Sequence, residues 1–158
     1  MRGTLSLKES EAGWRNLLRT RTFVRVNIDG KEEYRLKYEC NLFGRDAKYV
    51  LCDKNDYIIK VWSFKITMQK VSLPISESPM IKYIYDYKTI LGRFTTLSGD
   101  TPASLIANSS SRHLELDGME FRHKDFESVI HFRCPDEKLH TAIVIADLLF
   151  TPPNYRND

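Results

Sequence analysis

Four histidines, His113, His123, His131 and His140, share the last third of the chain with Asp117, Asp125, Asp136 and Cys134. An imidazole oriented by a carboxylate can act as a general base, and imidazoles with a thiolate can hold zinc. Either chemistry needs fixed spacing, and here the spacing is irregular: His131 and His140 flank Cys134 too loosely to specify a tetrahedral site. The three cysteines, Cys40, Cys52 and Cys134, are widely spaced and contain no C-x-x-C pair, so neither a disulfide framework nor a zinc knuckle is written in them. No phosphate loop, dinucleotide fingerprint, H-E-x-x-H or G-x-S-x-G occurs. The expectation is a protein that is not an enzyme, with no catalytic residues, no metal and no cofactor.

Residue types suited to binding are more orderly. Arg15, Arg19, Arg21 and Arg25 form the densest basic cluster and are the expected contacts for an anionic partner. They stand in a chain with 24 Lys and Arg against 21 Asp and Glu, a net charge of +3 too small to imply nucleic acid or anionic lipid without such a local patch. Tyr34, Tyr38, Tyr83, Tyr85 and Tyr87 interleave with Arg35, Lys37, Lys82 and Lys88. On a sheet that pattern could stack single-stranded RNA, although tyrosine inward and lysine outward on a half-buried strand is the preferred explanation. Pro152-Pro153-Asn154-Tyr155 matches the PPxY pattern of WW-domain ligands, with Pro152, Pro153 and Tyr155 as its specifying residues. Proline that merely stops a helix explains the same residues.

The elements that must carry these groups are read from periodicity. Val24, Val26 and Ile28, the turn Asp29-Gly30, and Tyr34, Leu36 and Tyr38 make a hairpin with a type I′ turn. A second hairpin runs from Tyr49 to Cys52, turns at residues 53–56 and continues from Tyr57 through Ile66. Strands follow at residues 81–87 and 92–96, then at Leu114 to Leu116, Met119 to Phe121 across Asp117-Gly118, and Val129 to Phe132. Residues 101–108 read as a helical turn or a strand. Before the first hairpin, Ser6-Leu7-Lys8-Glu9 has the form of a capping box, and Leu7, Trp14, Leu17 and Leu18 fall on one helical face, which predicts a short helix near 7–19.

The last element, residues 139–150, is apolar on almost every side and so must be buried. Its helical pattern competes with the β-branched run Ile143-Val144-Ile145, which also permits a central strand. The expected fold is mostly β, an antiparallel barrel or sandwich with a short N-terminal helix and a buried apolar C-terminal helix. Its expected limits are a mobile N-terminus at 1–5, one globular β-rich domain at 6–150 and a mobile tail at 151–158. With 158 residues, 42% hydrophobic and 28% charged, the chain has the size and composition of one globular domain. It has no apolar N-terminal stretch and no run long enough to cross a bilayer, and a cytoplasmic location, free or peripheral at a membrane, is expected.

Residues Phe23 to Leu36 followed by Ala47 to Trp62 resemble the paired hairpins of the tubby C-terminal-like family, which includes the LURP-one-related and phospholipid-scramblase-like proteins. The stretch Leu139 to Leu149 is similar to the hydrophobic segment that ends that family's chain and runs through the middle of its β-barrel. The resemblance covers about two-thirds of the chain. It implies a non-enzymatic barrel whose relatives bind phosphoinositides or associate with membranes, and it transfers no functional residue. The partners expected on this reading are an anionic lipid surface and a WW-domain protein, with RNA a further candidate. The alternative reading is a small viral matrix-like assembly protein that uses its basic edge at a membrane and its PPxY tail for recruitment.

Overall fold

The computed structural model describes residues 1–10, 19–41, 46–65, 70–74, 81–86, 91–96, 103–104, 106–107, 111–124 and 129–150. Within them the chain forms β1 (Arg2–Ser10), β2 (Arg19–Ile28), β3 (Lys31–Asn41), β4 (Asp46–Asp53) and β5 (Ile58–Lys65). Then come β6 (Lys70–Pro74), β7 (Ile81–Asp86), β8 (Leu91–Thr96), β9 (Ala103–Ser104) and β10 (Ile106–Ala107). The last strands are β11 (Ser111–Leu116), β12 (Met119–Lys124) and β13 (Val129–Arg133), and a 3₁₀ turn (Asp136–Lys138) leads into helix α1 (Leu139–Phe150). The order β10-β11-β12-β13-β1-β2-β3-β4-β5 makes a nine-stranded sheet, and β6-β7-β8-β9 a four-stranded one. Every pairing is antiparallel.

Local turn chemistry explains the hairpins. Asp29 and Gly30 both take positive φ (49° and 84°), as do Asp117 and Gly118 (50° and 78°), the type I′ geometry whose twist matches the strands. The β4–β5 turn is built differently. A carboxylate oxygen of Asp53 accepts the N–H groups of Asn55 (2.8 Å) and Tyr57 (3.0 Å), and Asp56 takes the left-handed conformation at φ 66°.

Two expectations change, and one open alternative is resolved. Residues 7–10 and 19 are strand and not helix: Leu7 pairs with Val24 and Ser10 with Thr22, while 11–18 lie outside the described residues. The capping-box residues instead finish a strand: Ser6 is paired on both sides, and from Leu7 on the ladder to β2 supplies the backbone partners. For the same reason residues 2–5 are not a free end; they pair with β13 on one side and β2 on the other, in the middle of the sheet. Of the two readings open for 101–108, strand is the one that forms at residues 103–104 and 106–107. The expected tail, 151–158, lies outside the described residues.

Helix, and not strand, is the outcome for the last element. Residues 142–149 are all buried, Asp147 with them, and Ile143, Val144 and Ile145 are fully inaccessible. The inner face of the nine-stranded sheet supplies the surrounding core: Leu5, Val26, Leu36, Tyr38, Tyr49 and Leu51 from β1 to β4, and Leu114, Phe121, Ile130 and Phe132 from β11 to β13. Burial of a Val, Leu or Ile side chain is worth about 1.5–3 kcal/mol, so this helix organises the core as much as the sheet does. Among the described residues no helix is long and apolar enough to cross a membrane.

His140, in the first turn of α1, sets its ring edge-on to Tyr34 with centroids 6.0 Å apart. Burial and then the nearby Lys60 ammonium push its imidazole below the ordinary value of 6.5. The unfolded chain therefore takes up this proton first, so the stability His140 contributes is present above about pH 6.5 and is lost as pH falls through the folded value. Urea midpoints measured across pH 5 to 8 should fall on the acid side, and His140→Gln should flatten that slope; an unchanged slope would place His140 in solvent.

Candidate anion-binding groove

Period-two alternation along β12, β13 and β1 sends Phe121, Phe132 and Leu5 inward and leaves Arg122, His131, Arg133 and Arg2 exposed on the opposite face. Register then assembles them. Arg133 stands between Glu120 on β12 and Arg2 on β1, and His131 stands between Arg122 and Thr4, with Asn27 of β2 next in that row. His113 of β11 lies on the far side of Arg122. The groove over this face, about 400 Å³, is lined by Arg2, Arg122, Arg133, His131, Thr4 and Asn27, with Asp29 and Gly30 at its end and Glu120 at its side.

Glu120 organises the arginines. Its carboxylate accepts Nε–H of Arg122 at 2.8 Å and an Nη2–H of Arg133 at 3.3 Å, and the Arg122 guanidinium foremost holds it below the usual carboxylate range. A guanidinium has five N–H donors, so one carboxylate between two of them leaves most donors for another acceptor. Arg2 has no acidic partner among the described residues. The lining thus presents three guanidiniums against the two carboxylates of Asp29 and Glu120. This arrangement can take phosphate or carboxylate oxygens in bidentate fashion.

His113, Glu115 and Glu120 bring potential ligand atoms within 4.8 Å of one another at the edge of the groove. Two guanidiniums already share Glu120, and their positive charge opposes a cation at that point. Of the three, Glu120 is the one bonded to Arg122 and Arg133. The other residues weighed for chemistry lie on different faces. His131 is exposed on β13, whereas Cys134, just past the strand, is buried, and His123 faces the core from β12. Burial pushes the Cys52 and Cys134 thiols up, away from reactive thiolate.

The basic cluster expected from the sequence is only partly in view. Arg15 lies outside the described residues, and Arg19 and Arg21 are placed on β2 by backbone alone. Arg25 pairs with Glu32 at 3.6 Å, sharing it with Arg35 (2.9 Å), and is not part of the groove lining. Pro152, Pro153 and Tyr155 fall outside the described residues. On β3, Tyr38 is buried against Tyr49 (centroids 5.4 Å) and Tyr34 packs on the core, while Arg35 and Lys37 face outward to Asp56. These two rings therefore offer no stacking platform for RNA on that strand.

Sequence reasoning missed Arg2, Arg122 and Arg133. The signal available was polar residues at alternate positions, Arg2-x-Thr4-x-Ser6, Glu120-x-Arg122-x-Lys124 and His131-x-Arg133. Only the pairing of β13 with β1 brings the first and last of these together.

Comparison with family models, with curated proteins and with solved structures gives no match for this chain. The functional reading therefore rests on the groove and its surroundings.

Proposed function

We propose that this chain is a non-enzymatic binding protein that takes an anionic phosphorylated headgroup at a membrane surface, using Arg2, Arg122 and Arg133. The observation that carries the reading is the groove in which these three side chains, from three adjacent strands, line one cavity on the outer face of the sheet. The groove is open to solvent, and its charged rim of three guanidiniums suits an anionic group held at a surface.

We infer further that the two sheets are arcs of one barrel around α1, as the resemblance to the tubby C-terminal-like family implies. Three features support this. The edge strand β5 leads directly to the edge strand β6, a single residue separates the edge strands β9 and β10, and α1 is buried along residues 142–149. A barrel gives the groove a stiff wall and removes exposed sheet edges.

The test is vesicle sedimentation with the full chain. Binding should require an anionic phosphoinositide in phosphatidylcholine vesicles and weaken as salt rises. Replacing Arg2, Arg122 and Arg133 together by Ala should lower affinity by about 100-fold, since each basic side chain near an anionic surface is worth about 1 kcal/mol. The thermal midpoint should hold, because the three side chains are exposed. Equal binding of the wild-type and triple-variant proteins would overturn the assignment.

A further inference from the structure

Tyr57, Ile58, Ile59 and Val61, at the β4–β5 turn and along β5, are 72%, 67%, 41% and 46% exposed. Among the described residues, Met1 is the other exposed large hydrophobic side chain, so apolar exposure concentrates at this hairpin. The tip is firmly built: besides the two bonds to the Asp53 carboxylate, Asp53 N–H donates to the Tyr57 carbonyl and Asp56 N–H to the Asp53 carbonyl. A rigid tip that leaves a tyrosine and two isoleucines in water has an occupant to explain.

We propose that this hairpin tip inserts into the headgroup and acyl boundary of an anionic membrane, with Tyr57 and Ile58 as the inserted residues. The inference rests on the membrane reading of the arginine groove and names a second, apolar contact for it. Charge at the tip selects the partner. Asp56 is paired with Arg35 (3.3 Å) and Lys37 (3.4 Å), the Asp53 carboxylate is held inside the turn by two N–H groups, and Lys54 and, at the start of β3, Lys31 are exposed and in no ion pair among the described residues. Apolar side chains beside exposed lysines that make no ion pair complement anionic headgroups over an acyl layer, and tyrosine favours that boundary.

Position agrees with this. β1 begins at Arg2 and β13 ends at Arg133, at the end of the sheet where the β2–β3 and β4–β5 turns lie, and Asp29 N–H donates to the Arg2 carbonyl. One approach of that end to a bilayer therefore brings groove and tip to the surface together. A second copy of the chain is a poorer occupant, since four side chains at a hairpin fall short of the roughly 800 Å² per partner that a stable interface buries.

The experiment uses the full chain carrying Tyr57→Trp and vesicles of phosphatidylcholine with phosphoinositide, with and without brominated acyl chains. Emission from the introduced tryptophan, taken by difference from the parent protein, should shift to the blue on binding and be quenched by bromine. Ile58→Asp should weaken vesicle binding by about tenfold with an unchanged thermal midpoint. Vesicle binding without quenching, and unaffected by Ile58→Asp, would overturn the tip and leave the groove standing. Failure of the parent protein to bind any vesicle would overturn both. Self-association in sedimentation velocity that Ile58→Asp abolishes would assign the tip to a second copy and overturn membrane insertion.

Discussion

Val144→Asp is expected to abolish cooperative folding. Val144 is fully buried in the middle of α1, flanked by Ile143 and Ile145, themselves inaccessible. The substitution loses about 1.5–3 kcal/mol of apolar burial and leaves a carboxylate where several kcal/mol more is needed to desolvate it. Against a net stability of roughly 5–15 kcal/mol, the sum removes most or all of the folded population. Ile143→Val, which deletes one methylene from the same core, should cost only about 0.5–1.5 kcal/mol and keep a sharp urea transition. Ending the chain after Glu137 should be as damaging as Val144→Asp, because the inner faces of β1 to β4 and β11 to β13 would lose what covers them. A Val144→Asp protein with the wild-type urea midpoint would mean that α1 is not the centre of the core.

Gly3→Ala is expected to cost about 1–3 kcal/mol, a large effect for one added methyl group. Gly3 pairs with Phe132 across β1 and β13, and the Phe132 ring lies over it: a Cβ at Gly3 would fall 2.2 Å from Cζ of that ring. The ring is 4% exposed and is held by core neighbours, so it cannot swing aside at little cost. An aromatic side chain laid over a strand glycine is a known device for pinning register. If this is why glycine stands there, Phe132→Leu should recover part of the loss, and the two substitutions should couple in a double-mutant cycle. Additive effects would mean that the ring does not cover Gly3. The result bears on function, since the same register sets Arg2 beside Arg133.

What could be read in advance follows from how local each cause is. Asp29-Gly30 and Asp117-Gly118 were legible because a two-residue turn with positive φ is encoded by its own two residues. The burial of residues 139–150 was legible because a segment apolar on every side has nowhere else to go, and the helix form followed once the strands were taken up by one another. The N-terminal segment was misread because Ser6 and Glu9 mimic a helix cap, while the fate of Leu5 and Leu7 is decided by partners on β2 and β13. The arginine groove was illegible for a related reason. Arg2 and Arg133 become neighbours only through the pairing of β1 with β13, 131 positions apart in sequence, which no periodicity within a window records. The expected cluster at Arg15, Arg19, Arg21 and Arg25 was found by density along the sequence, and density along the sequence is a poor guide to proximity across a sheet.

The most direct measurement is a titration of the full chain with a soluble inositol trisphosphate at about 0.15 M ionic strength, where long-range attraction is screened, followed by NMR of backbone amides and arginine Nε–H groups. Saturable shifts are expected to centre on Arg2, Thr4, Arg122, His131 and Arg133, and to vanish when the three arginines are replaced by Ala. Shifts that centre elsewhere, or that survive that replacement, would contradict the assignment of the groove as the anion site.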